Sequence, residues 1–252
     1  DAHSFLRERG LLTRTADCAL PSLFEACHEE PYRAGGRGFA SWPATKWPWA
    51  AELGSLPDVH SLDIHRGKNI LLSEEVVAFA DPVCRAELAR LEREDPRCAL
   101  VLRHLAAVGP SMADDVEVEL GLAHKEMRSV RVVLQRCGAL VARPVVVPAA
   151  AGQGHLHRSA LARWDQAFPV PPGSGSGGGA SSSRGASWGD AAPDILPLLG
   201  AALQAAVVAP ERDLASWFTW SWLLPANAGD QLVGRGLAVR PEPGWLAAPD
   251  PD

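Results

Sequence analysis

Between Arg97 and Asp165 the spacing of apolar positions changes from helical to alternating, and the change predicts one complete module. CALVLRHLAAVG (98–109) repeats its apolar residues at helical spacing and reads as a first helix. Ser111 is expected to open a second helix, SMADDVEVEL, which a short turn at Gly121-Leu122 closes. In the third, HKEMRSVRVVLQRCG, Met127, Val130 and Leu134 recur on one face. His124, Arg128, Arg131 and Gln135 recur on another face, with Lys125 beside them. Two β-rich runs, LVARPVVV and HLHRSALA, then flank the small-residue loop AAAGQG. Helix, helix, basic helix and hairpin predict a winged helix-turn-helix over 97–170, a module whose third helix usually enters a DNA groove.

Outside that module the pattern is less regular. Asp1 stands at the edge of a helical pattern, which leaves the true start of the chain open. Residues 1–96 read as an N-terminal α/β segment with a Trp-rich loop, a possible truncated winged helix. Ser22-x-x-Glu25 has the capping-box form and predicts a short helix ending near Cys27. Prolines fall too often in Trp42–Trp49 for a regular strand. A short strand is expected at Asn69–Leu72, and Asp81-Pro82 is expected to start a helix running through Arg93. The Gly/Ser-rich run at 171–190 reads as a flexible linker. Beyond it, 191–252 is expected to form a winged-helix-like domain: an apolar helix at 195–209, a second helix from ERDLASWFTWSWLL, and a wing. Arg235–Arg240 faintly echoes Arg136–Arg143. The fold class is therefore α+β, helix-rich, with tandem winged helix-turn-helix modules.

Charge localises the candidate partner. The chain of 252 residues carries a net charge of −6, which argues against indiscriminate coating of nucleic acid. Residues 97–165 nevertheless hold nine Lys/Arg against six Asp/Glu, a local balance of +3. Five scattered cysteines without a C-x-x-C pair read as small buried hydrophobes and suit a reducing, cytoplasmic setting. No apolar run approaches a membrane span and no signal peptide is visible.

The candidate nucleic-acid contacts are His124, Lys125, Arg128, Arg131 and Gln135 on the third helix, and Gln153, His155 and Arg158 on the wing. Lys46 and Trp47 join them, because a cation among aromatics suits base stacking. His155 and His157 alternate without a third ligand nearby, and His60-x4-His65 lacks a recognised metal spacing, so no metal is expected. Gly35–Gly38 lacks the strand, helix and Lys-Ser/Thr of a phosphate loop, and no cofactor fingerprint or Ser-His-Asp arrangement is found.

Four stretches together resemble the AlkZ-related winged-helix proteins, relatives of bacterial DNA glycosylases that excise alkylated or crosslinked purines. They are Gly10-Leu11-Leu12 leading into Leu20–Ala26, the Trp-rich Lys46–Trp49, Arg66-Gly67-Lys68 with Leu71–Glu74, and the winged module ending in Trp164. The likeness spans most of 4–168 and, more loosely, 190–245. It implies tandem winged helices wrapping double-stranded DNA. In the active glycosylases a Gln-x-Gln or Gln-x-Asp pair just after such a Gly-Leu activates the hydrolytic water. Here that place reads Leu12-Thr13-Arg14-Thr15-Ala16-Asp17, so no catalytic residue carries over. Thr hydroxyls are far weaker bases than a carboxylate. Binding without catalysis is the leading expectation. An active glycosylase using Asp17 or another carboxylate, and a winged-helix regulator or protein-interaction module, are the alternatives.

Overall fold

The computed structural model describes residues 1–16, 18–23, 46–148, 155–170 and 192–250. They form a helix-rich α+β chain with small antiparallel sheets. Two compact units are present: Asp1–Pro82 with Asp194–Asp252, and Val83–Pro193.

In the first unit, helix α1 (Ala2–Arg9) is capped by Asp1, whose carboxylate accepts the Ser4 N–H at 2.9 Å. Strand β1 (Leu11–Thr13) follows, then α2 (Lys46–Leu53), β2 (Val59–His65) and β3 (Lys68–Ser73). Arg66 (φ 53) and Gly67 (φ 76) both take positive φ, the signature of a two-residue hairpin turn, and this joins β2 to β3. β3 lies between its neighbours, with Leu12 paired to Leu71 and Leu71 to Ser61. One face of this sheet packs Leu12, Val59 and Leu71 against Leu6, Leu23, Ala50 and Leu53. Leu11, Ile70 and Leu72, which point the other way, are also buried, as is Ile64 at the register shift of β2.

The C-terminal part of the same unit comprises α8 (Leu196–Ala206), β7 (Val208–Pro210), two 3-10 turns (Glu211–Ser216 and Ser221–Leu223), α9 (Ala228–Gly234) and β8 (Trp245–Ala247). α8 packs on β1. The N–H and hydroxyl of Thr219 both donate to the Ile64 carbonyl, at 2.9 and 3.1 Å. Buried His65 donates from Nδ1 to the Trp217 carbonyl at 2.5 Å. Polar groups that burial would leave unsatisfied are thus paired between segments some 150 positions apart.

Helix α3 (Glu74–Glu94) runs through Pro82, where the sequence reading begins a helix at Asp81-Pro82. Proline removes one helical hydrogen bond, but Val76, Val77, Ala80, Val83 and Cys84 are all buried around it, and that burial outweighs the loss. In the second unit Asp95 caps α4 (Pro96–Val108) by accepting from the N–H groups of Arg97 and Cys98. Then come β4 (Ser111–Met112), α5 (Ala113–Glu119), α6 (His124–Arg136), β5 (Leu140–Pro148), β6 (His155–Arg163) and the single turn α7 (Trp164–Ala167). Ser111 does not start the second helix. Its backbone pairs with Leu161 and its hydroxyl donates back to the Gly109 carbonyl, so the helix begins two residues later. Cys98, Leu102, Leu105, Val116, Met127, Val130, Leu134, Leu161 and Trp164 fill the core.

Two further expectations are corrected. The second C-terminal helix expected from ERDLASWFTWSWLL is a pair of 3-10 turns; Leu214 in the first and Trp217, Phe218 and Trp220 between the two are buried. The Trp-rich segment is helical from Lys46 onward. Pro48 sits in the first turn of α2, where its missing N–H has no helical partner to lose. The short helix expected from Ser22 lies almost entirely outside the described residues.

One strand order recurs. β1-β3-β2 and β4-β6-β5 each place the third strand between the first and second. In the C-terminal part β7 pairs with β8, and Val239 bridges the other side of Ala247, giving the same order in reduced form. The echo at Arg235–Arg240 has a structural basis in the last turns of α6 and α9. Ala139 N–H bonds to the Leu134 carbonyl across Gly138 (φ 72), and Leu237 N–H bonds to the Leu232 carbonyl across Gly236 (φ 71).

Candidate nucleic-acid interface

Helix α6 is amphipathic as its sequence requires. Met127, Val130 and Leu134 are buried, whereas His124, Lys125 and Arg128 are exposed. Arg131 and Gln135, on the same stripe, are half-buried and already engaged by neighbours. β5 contributes Arg143, which the sequence reading did not single out. Pairing of Arg143 with Ala160, and of Val145 with Arg158, puts both arginines on the outer face of the hairpin. The alternation of β5 was the signal for it. Lys125, Arg128, Arg136 and Arg143 are exposed and have no ion-pair partner among the described residues.

Other candidates are tied down by α5. Its sequence, ADDVEVE, places four carboxylates directly before α6. Glu117 Oε2 lies 3.0 Å from His124 Nδ1, and Asp114 Oδ2 lies 3.2 Å from Arg158 Nη1. Glu119 meets His104 at 3.0 Å. Gln153 and the side chains of His155, Lys46 and Trp47 lie outside the described residues. The backbone of His155 pairs with Pro148 at the open end of the hairpin, and Lys46 and Trp47 begin α2. α2 holds the place before its hairpin that α6 holds before β5 and β6.

A second polar group occupies the β1-β3-β2 sheet. Asn69 Nδ2 donates to Ser61 Oγ at 2.7 Å and to Asp63 Oδ1 at 3.3 Å, while Arg14 Nη2 donates to Asn69 Oδ1 at 3.3 Å. Burial holds the Arg14 guanidinium below its ordinary pKa, partly offset by the charge of Asp63. Sequence reasoning missed this group because its members are far apart in the chain and form no motif. The nearby Thr13 hydroxyl is buried and, among the described residues, donates to the carbonyls of Thr15 and Pro21, each at 3.2 Å. Asp17 lies outside the described residues.

Cys84, Cys98 and Cys137 are buried. Burial and then the neighbouring carboxylates Asp95 and Glu87 push the Cys98 and Cys137 thiols up to about 12, which keeps both protonated and poorly nucleophilic. Among the described residues no cluster of three His, Cys, Asp or Glu is suited to a metal ion. No helix among them is long and apolar enough to cross a membrane.

No protein-family model matches the chain, and no curated protein and no solved structure is significantly similar to it.

Proposed function

We propose that this chain is a winged-helix protein that binds double-stranded DNA through α6 and the β5–β6 hairpin, akin to the AlkZ-related proteins its sequence resembles. The observation that carries the reading is the outward face of the second unit. Lys125 and Arg128 project from α6, and Arg143 from β5, without carboxylate partners among the described residues. The element order helix–strand–helix–helix–strand–strand with sheet order β4-β6-β5 suits a winged helix-turn-helix, whose third helix enters the major groove. The recurrence of that strand order in β1-β3-β2 and β7-β8-Val239 supports the tandem arrangement. Exposed cations on a helix of groove-fitting width bind phosphate and release counterions. In a binding assay with duplex DNA, Lys125→Ala with Arg128→Ala is expected to weaken affinity roughly tenfold or more at about 0.1 M salt. Equal affinity of variant and parent removes α6 from the interface.

A working glycosylase is the second reading, and one observation favours it. Asp63 supplies a carboxylate held by Asn69, which is itself held by Arg14, the residue immediately after β1. A carboxylate can take a proton from an attacking water and steady positive charge developing on the sugar. Incubation of excess protein with alkylated and crosslinked duplexes, followed by scoring of abasic sites, tests it. Under this reading Asp63→Asn lowers release about a hundredfold, within the range typical of a general base. No release by the parent protein on any lesion rejects it.

A further inference from the structure

We infer that Asp114 and Glu117 are specificity-determining residues of the DNA face, because they hold Arg158 and His124 in intramolecular pairs and leave phosphate to Lys125, Arg128 and Arg143. The inference rests on the DNA-binding reading above. Its basis is the position of α5. Four carboxylates in a seven-residue helix, Asp114, Asp115, Glu117 and Glu119, stand immediately before the basic helix. Two of them reach the cationic face: Asp114 meets Arg158 on β6 at 3.2 Å, and Glu117 meets His124 at the start of α6 at 3.0 Å.

The consequence follows from Coulomb's law. A phosphate approaching Arg158 or His124 must displace a carboxylate already in place, and the displaced carboxylate then repels it at short range. A phosphate reaching Lys125, Arg128 or Arg143 displaces no ion pair formed with a described residue. The penalty therefore falls on any complex that runs the backbone over α5, and it spares one that follows α6 and β5. Such a fence suppresses diffuse, sequence-independent binding, which is almost wholly electrostatic. It also accords with a chain whose overall charge is −6.

The test uses the full chain and a short random-sequence duplex. Asp114→Asn combined with Glu117→Gln is expected to tighten binding about tenfold at 0.1 M salt. It should also steepen the dependence of log K on log[salt] by about 0.9 for the phosphate gained by Arg158. Asp115→Asn removes the same kind of charge from the same helix; Asp115 is exposed and has no ion-pair partner among the described residues. It is expected to give well under half of that logarithmic gain and no change of slope. If Asp115→Asn gives half or more of the double variant's logarithmic gain, net charge alone is acting and the inference is overturned. Adding Arg158→Ala to the double variant supplies a second measurement: it is expected to return the salt slope to that of the parent, and a slope that stays steep contradicts the inference. A parent protein without salt-sensitive DNA binding refutes the DNA reading itself. Salt-sensitive binding with a double variant that does not tighten refutes only the role of α5.

Discussion

At the scale of single residues, Arg163 shows how a charge is accommodated inside the second unit. Its side chain is only 11% exposed. The guanidinium makes two 3.0 Å bonds to Asp165, one of 3.1 Å to the Leu102 carbonyl and one of 3.3 Å to Glu92. Burial pushes the Asp165 carboxyl up, but the bonds and charge of Arg163 outweigh it, so its pKa lies below the usual carboxylate value. A carboxylate with a depressed folded-state pKa contributes stability above its unfolded value of about 3.9 and loses it as pH falls through the folded value. Arg163→Met is therefore expected to destabilise the protein by about 2–3 kcal/mol near neutral pH, since it leaves carboxylates facing a partner that is gone. The difference from the parent should shrink as pH drops below the carboxylate range. Thermal melts from pH 7 to pH 3 check both, and a pH-independent difference contradicts the pairing. Sequence alone placed the described buried cysteines well, because small sulfur side chains are buried by default. Arg163 was illegible for the opposite reason: arginine defaults to the surface, and the carboxylate Glu92 lies 71 positions away.

At the scale of elements, legibility followed the strength of the local pattern. α6 was readable from Met127, Val130 and Leu134, and the β5–β6 hairpin from alternation, since each pattern repeats over several turns or pairs. β4 is two residues long and owes its existence to Leu161 and Ala160, so nothing local announces it. The passage of α3 through Pro82 and the 3-10 turns around Trp217 and Trp220 likewise depend on tertiary burial, which propensity does not contain. The polar group on Ser61, Asp63, Asn69 and Arg14 was hidden for the same reason. At this scale the C-terminal echo corresponds to matching ends of α6 and α9. Gly236 holds φ 71, and a Cβ there meets nothing within 4 Å. Gly236→Ala therefore isolates backbone strain and is expected to cost about 1 kcal/mol. Chemical denaturation measures it, and an unchanged midpoint contradicts the left-handed cap at Gly236.

At the scale of the whole molecule, the sequence displays a basic module in an acidic chain, and the structure adds which cations of α6 and the hairpin are paired among the described residues and which are not. His124 and Arg158 answer to α5, Arg131 and Gln135 are engaged, and Lys125, Arg128 and Arg143 project outward. The joining of the two chain ends through His65, Ile64, Trp217 and Thr219 lay beyond any sequence pattern, because it rests on side chains of ordinary spacing. The central claim is that these outward cations engage duplex DNA, and the salt dependence of binding tests it most directly. The account predicts a slope of log K against log[salt] near −3 for the parent, at about 0.9 per phosphate. Lys125→Ala with Arg128→Ala should bring it near −1. A slope close to zero, or one identical in parent and variant, contradicts the account.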